Sequence, residues 1–98
     1  MVTVQTIFTR PSENEIWYHI LWPTELVDYV NQNYELTGKF AGSVVESEDK
    51  LTLTFIHIFT SDEDRIEWNN DQYLNNFREI RLNYNQANGI VQVSQTVE

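Results

Sequence analysis

"LTLTFIHIF", residues 51–59, decides the fold. Its first half alternates as a strand with one wet face does: Leu51 and Leu53 point one way, Thr52 and Thr54 the other. Beyond residue 55 the alternation fails. Ile56 and Ile58 put large apolar groups on the threonine face, while His57 falls in line with Leu51, Leu53, Phe55 and Phe59. A strand apolar on both faces needs cover on both, and helices packed on a small antiparallel sheet cover only one. A histidine also stands among the apolar residues of one face.

Working outward, "KFAGSVVES" (39–47) reads as a second strand, and Glu48, Asp49 and Lys50 make the polar turn of a hairpin. After the hairpin, "SDEDRIEWNNDQYLNNFREIRLNYNQANG" (61–89) is the longest helical region. Ser61 is a good N-cap, and Asp62, Glu63 and Asp64 suit the positive end of the helix dipole. Ile66, Tyr73, Leu74, Phe77, Ile80 and Tyr84 recur close to one face. The poor helix formers Asn69, Asn70 and Asp71 predict a kink or restart, and Gly89 a stop. Upstream, "PTELVDYVNQNYELTG" (23–38) predicts a first helix with Leu26, Val27, Val30 and Tyr34 on its inner stripe and Gly38 ending it. The chain opens on an alternating strand that runs from Val2 towards Arg10 and closes on another, "IVQVSQTV" (90–97). "IWYHILW" (16–22) is expected to be an extended segment covering part of the core.

The order is strand, helix, strand, strand, helix, strand. That is the split βαβ, or ferredoxin-like, arrangement of the α+β class, a single domain over 1–98 with both helices on one face of an antiparallel sheet. Right-handed crossovers put the helices on the same side, so the other sheet face is bare in one copy. A chain of 98 residues has no third layer to supply. The expected cover is therefore a second copy, since an apolar sheet face marks an interface and two-fold dimers are the commonest assembly.

Composition narrows the function. Six basic residues against fifteen acidic ones give a formal charge of −9, which repels phosphate backbones and anionic membrane surfaces. Nucleic acid and membrane are not expected as partners. There is no cysteine, hence no disulfide, thiolate metal site or cysteine nucleophile, and the opening residues carry no signal-peptide pattern. A cytoplasmic protein is expected. With only Gly38, Gly42 and Gly89, no P-loop or dinucleotide fingerprint can be built, and His19 and His57 have no metal-ligand spacing. No cofactor and no metal are expected.

The stretches "FTSDEDRIEWNND" (59–71) and "FREIRLNYNQANGI" (77–90), with a tryptophan near the helix break and a "YNxxNGI" ending, resemble the second-helix region of the dimeric α+β barrel superfamily, which includes antibiotic-biosynthesis monooxygenase-like proteins. "FTRPS" (8–12) followed by the pair Trp17–Tyr18 is similar to small uncharacterised proteins from marine environmental and viral sequences. The resemblance spans nearly the whole chain and implies a dimer whose two sheets face each other around a shared barrel. It implies no reaction, because that fold hosts oxygenases, isomerising, dechlorinating and haem-degrading proteins.

Candidate site residues follow from chemistry. His57, titrating near neutrality, suits acid, base or hydrogen-bond donor work inside the barrel; its plainer role is a buried neutral histidine. Trp17, Tyr18 and His19, with Trp22, form an aromatic segment able to grip a flat ligand or to staple the segment to the core. Arg10 is a candidate anion contact, against the alternative of a salt bridge, and Trp68 is expected to pack at the helix break. The concrete expectation is a dimeric α+β barrel binding a small, largely apolar organic ligand in its interior. A cofactor-free monooxygenase-like enzyme and a purely structural dimer with a filled barrel are the alternatives.

Overall fold

The computed structural model describes residues 1–97. Strand β1 (Val2–Thr9) is followed by helix α1 (Thr24–Val30), the hairpin of β2 (Phe40–Glu46) and β3 (Thr52–Phe59), helices α2 (Asp62–Asn70) and α3 (Gln72–Ala87), and strand β4 (Val91–Val97). The sheet order is β2-β3-β1-β4, all antiparallel, as the split βαβ reading requires. Positive φ at Gly38 (74°) and Gly89 (69°) ends α1's extension and α3, and the hairpin turns through Lys50 at φ 62°. Asp49 steadies that turn by accepting from the Leu51 amide at 3.0 Å and the Ser47 hydroxyl at 2.6 Å.

Register fixes which residues share a face. Val2, Val4, Thr6 and Phe8 lie alongside Phe59, His57, Phe55 and Leu53 in turn. This is the helix face: Leu26 and Tyr34 from α1 and its continuation pack with Phe40, Phe59 and Leu74, and Phe8, Trp17, Leu53 and Ile90 form a second cluster. The opposite face holds Ile56 and Ile58 at the centre, Ile7 on β1, Val45 on β2, and Val91, Val93 and Val97 on β4. Their neighbours there are Thr, Ser, Gln and Ala, and no charged side chain falls among the paired positions of that face, although the chain has 21 acidic and basic residues (6 + 15). Val45 and Val93 are more than half exposed.

Two expectations need correction, the extended segment and the full extent of the apolar stripes. "IWYHILW" is not extended throughout: Tyr18–Leu21 form a 3-10 turn. Trp17 and Trp22 on either side keep extended backbone, Trp17 because its ring is buried and its Nε1 donates to Glu46 at 2.7 Å, Trp22 because it precedes Pro23. The long helical region breaks into two helices where Asn69, Asn70 and Asp71 predicted a restart. Asp71 caps α3, its Oδ1 accepting from the amides of Tyr73 (2.9 Å) and Leu74 (3.2 Å), while Ser61 caps α2 through the Asp64 amide at 3.2 Å. Of the predicted apolar stripe, Tyr73, Leu74, Phe77 and Tyr84 pack against the core, whereas Ile66 and Ile80 do not. The inner face of α3 carries Leu74, Phe77, Arg78, Arg81 and Asn85, and Ile80 lies roughly 120° away from its centre at 100° per residue. Ile66 and Ile80 are therefore about half exposed. On α1, Val27 is likewise half exposed, and the helix passes into a π-helical turn, Asn31–Glu35.

Candidate functional site

The helices do not close tightly on the sheet. Between the two layers lies a cavity of about 660 Å³, within the range of small-molecule sites. Its floor is the helix face of β1 and β3 together with Phe40, Val44, Ser94 and Thr96; its roof includes Leu26, Trp68, Leu74 and Phe77. Trp17, Tyr18, His19 and Trp22 make one wall. The wall stands because Trp17 is anchored in the core, and because the Tyr84 hydroxyl donates to the Ile16 carbonyl at 2.5 Å while its ring meets Tyr18 at 5.4 Å. His19 meets Phe55 edge-on at 5.4 Å, and Trp22 lies 5.9 Å from the same ring.

His57 sits at the centre of β3 and looks into this cavity, ringed by Phe40 (5.1 Å), Trp68 (5.7 Å), Phe55 (6.0 Å) and Phe59 (6.4 Å). Burial, reinforced by the cations of Arg81 and Arg78, pushes its pKa down to about 4, so the imidazole is neutral at physiological pH. His19 is also lowered by burial, with Glu46 partly opposing the effect. Gly42, beside His57 in β2, leaves room for the Phe40 ring, which stacks on Trp68 at 4.5 Å.

Five of the six residues singled out from sequence meet here: His57, Trp17, Tyr18, His19 and Trp68 all border the cavity. Arg10 does not. Its Nε donates to the Lys50 carbonyl at 2.7 Å and a terminal nitrogen to the Glu15 carbonyl at 2.6 Å. The other terminal nitrogen stands 3.5 Å from Glu46, and the guanidinium lies 4.3 Å over the Trp17 ring. Arg10 thus ties the hairpin to the segment before α1. The place of the cavity also differs from expectation: His57 points towards the helices of its own chain, not towards the open sheet face where a shared barrel would lie.

Arg78, Arg81 and Asn85 were missed by the sequence reading. Their signal was the spacing 74–78–81–85, which continues the inner stripe of α3 with polar residues, but polar residues on a helix are ordinarily read as its solvent face. Arg78 is held by the Trp68 carbonyl at 2.9 Å and by Asn75. Among the described residues no group of three His, Asp or Glu side chains is placed to hold a metal, and no helix is long and apolar enough to cross a membrane.

No family model matches the chain, and no curated protein matches it. Among solved structures it is similar to one described as a dimeric ferredoxin-like protein from an uncultured marine organism. The TM-score is 0.55, over 98% of this chain and 92% of that one, at 10% sequence identity. The likeness shows a ferredoxin-like fold.

Proposed function

We propose that the protein binds a small, largely apolar organic molecule in the cavity between its helices and sheet, and that it does so as a homodimer joined through the open sheet face. The observation that carries the ligand reading is the cavity itself, about 660 Å³, bordered by aromatic rings with a neutral histidine among them. That arrangement has the character of a ligand site, apolar walls with a few polar groups to fix orientation. A filled interior, the structural-dimer alternative, would leave no such space in an otherwise close-packed protein. In this reading Trp17, Tyr18, Trp68 and the aromatic residues of β3 hold the flat body of the ligand, and His57 and His19 offer hydrogen bonds.

The dimer reading rests on the absence of charge from the open face and on the exposure of Val45, Val91, Val93 and Val97 there. Edge charges would be expected on a face that meets water. The similar solved structure is described as dimeric.

The neutral fluorophore N-phenyl-1-naphthylamine tests the ligand reading. Its emission should rise and saturate at one molecule per chain; an emission that never saturates would remove the reading.

A further inference from the structure

The charges around the cavity invert the balance of the whole chain. Fifteen acidic and six basic residues make the protein strongly acidic. Yet three of the six basic residues, Arg65, Arg78 and Arg81, border the cavity, against a single acidic residue, Glu35. Two of these arginines are already engaged. Arg65 is paired with Asp62 at 2.8 Å, and Arg78 is held by carbonyls at the α2–α3 break and by Asn75. Arg81 differs. Among the described residues it forms no ion pair, and its buried Nε has no hydrogen-bond partner. One turn further along α3, the buried amide nitrogen of Asn85 also lacks a partner. Both side chains border the same cavity, and the Arg81 guanidinium lies 5.6 Å over the ring of Phe8 on its floor.

Buried donors without acceptors are costly, and Arg81 Nε is one that belongs to a group which keeps its charge in proteins. The fork of the guanidinium matches the two oxygens of a carboxylate. Given the cavity reading above, on which this rests, we infer that the ligand is an aromatic or alicyclic carboxylate whose anionic head is taken by Arg81 with the Asn85 amide beside it, its apolar body lying against Phe8 and Phe55. Phe8 and Phe55 meet edge to face at 5.5 Å, which gives that body two ring surfaces at right angles. The acidic exterior repels such a ligand at long range, so selection is local, at a cation that borders the cavity and has no ion pair among the described residues.

The test compares 2-naphthylacetate with its neutral counterpart 2-naphthylacetamide by calorimetric titration of the unaltered chain. The carboxylate should bind at least about tenfold more tightly, the size expected for a charge-assisted bidentate pair. Arg81→Met should bring the carboxylate down to the level of the amide, and Arg81→Lys should restore part of the difference. Equal affinities for the two compounds in the unaltered chain would overturn the inference and leave the cavity reading standing. No saturable binding of either would overturn both. The unaltered chain decides between these outcomes even where an Arg81 variant fails to fold.

Discussion

The Tyr34 hydroxyl donates to Asp71 Oδ2 at 2.5 Å, and Tyr29 donates to the same oxygen at 2.7 Å while the other carboxylate oxygen caps α3. One side chain thus joins the first helical segment to the break that creates α3, and so positions the inner face from which Arg78, Arg81 and Asn85 reach the cavity. Burial raises the Asp71 pKa, but the two hydroxyls and two backbone amides outweigh it and hold the carboxyl below its usual range. The Tyr34 hydroxyl is pushed well up by burial and by this hydrogen bond.

Asp71→Ala should therefore destabilise the fold by about 2–3 kcal/mol, combining a lost cap with two hydroxyls left without their acceptor. Tyr34→Phe should cost about 1 kcal/mol. Because the folded pKa of Asp71 is depressed, its contribution is complete above the ordinary carboxyl range and is lost as pH falls through the folded value. Urea unfolding at pH 7 and at progressively lower pH measures both effects, and the Asp71→Ala chain should lose less stability on acidification than the unaltered one.

His57 gives a separate pH window. Its folded pKa of about 4 lies below the ordinary 6.5, so between these values the unfolded chain binds a proton that the folded one does not. Stability is full above 6.5 and falls as pH drops towards 4, by about 3 kcal/mol at the lower end. NMR titration of the ring should find a midpoint near 4, and His57→Phe should flatten the stability curve across this window. A midpoint at the ordinary value would show that the ring is open to water.

At Gly42 the structure has no room for a side chain. A Cβ there would stand 2.8 Å from Cζ of Phe40, whose ring is stacked on Trp68. Gly42→Ala should push that ring aside, lower stability by about 1–3 kcal/mol and alter Trp68 fluorescence. Unchanged emission with unchanged stability would mean that Phe40 yields without disturbing the cavity wall.

The open sheet face carries its own prediction. Light scattering should return twice the 11.6 kDa of one chain, and Ile56→Glu, at the centre of that face, should halve the measured mass. A mass of one chain for the unaltered protein would rule out the proposed dimer.

The sheet was legible in "LTLTFIHIF" because period-two alternation survives tertiary packing, and the two faces of β3 are those read from it. The broken helix was legible in part, since Asn69, Asn70 and Asp71 weaken helix locally, but the tyrosines that Asp71 binds lie 37 and 42 residues away and leave no local trace. His57 was noticed because a polar residue on an apolar strand face stands out. Arg81 was not, because an arginine on a helix looks like solvent face until α3 is seen to turn it inward. Arg10 drew notice by its rarity in an acidic chain, and its role is to hold the hairpin. The position of the cavity, on the helix side of the sheet, depends on how far the helices stand off it, which no residue pattern encodes.

The most direct measurement of the central claim is where a neutral apolar molecule sits. Nuclear Overhauser contacts between bound N-phenyl-1-naphthylamine and the isotope-labelled chain should reach Leu53, Phe55 and His57 on the inner face of β3. Contacts confined to Ile56, Ile58 and Val93 on the opposite face would contradict a ligand site between helices and sheet.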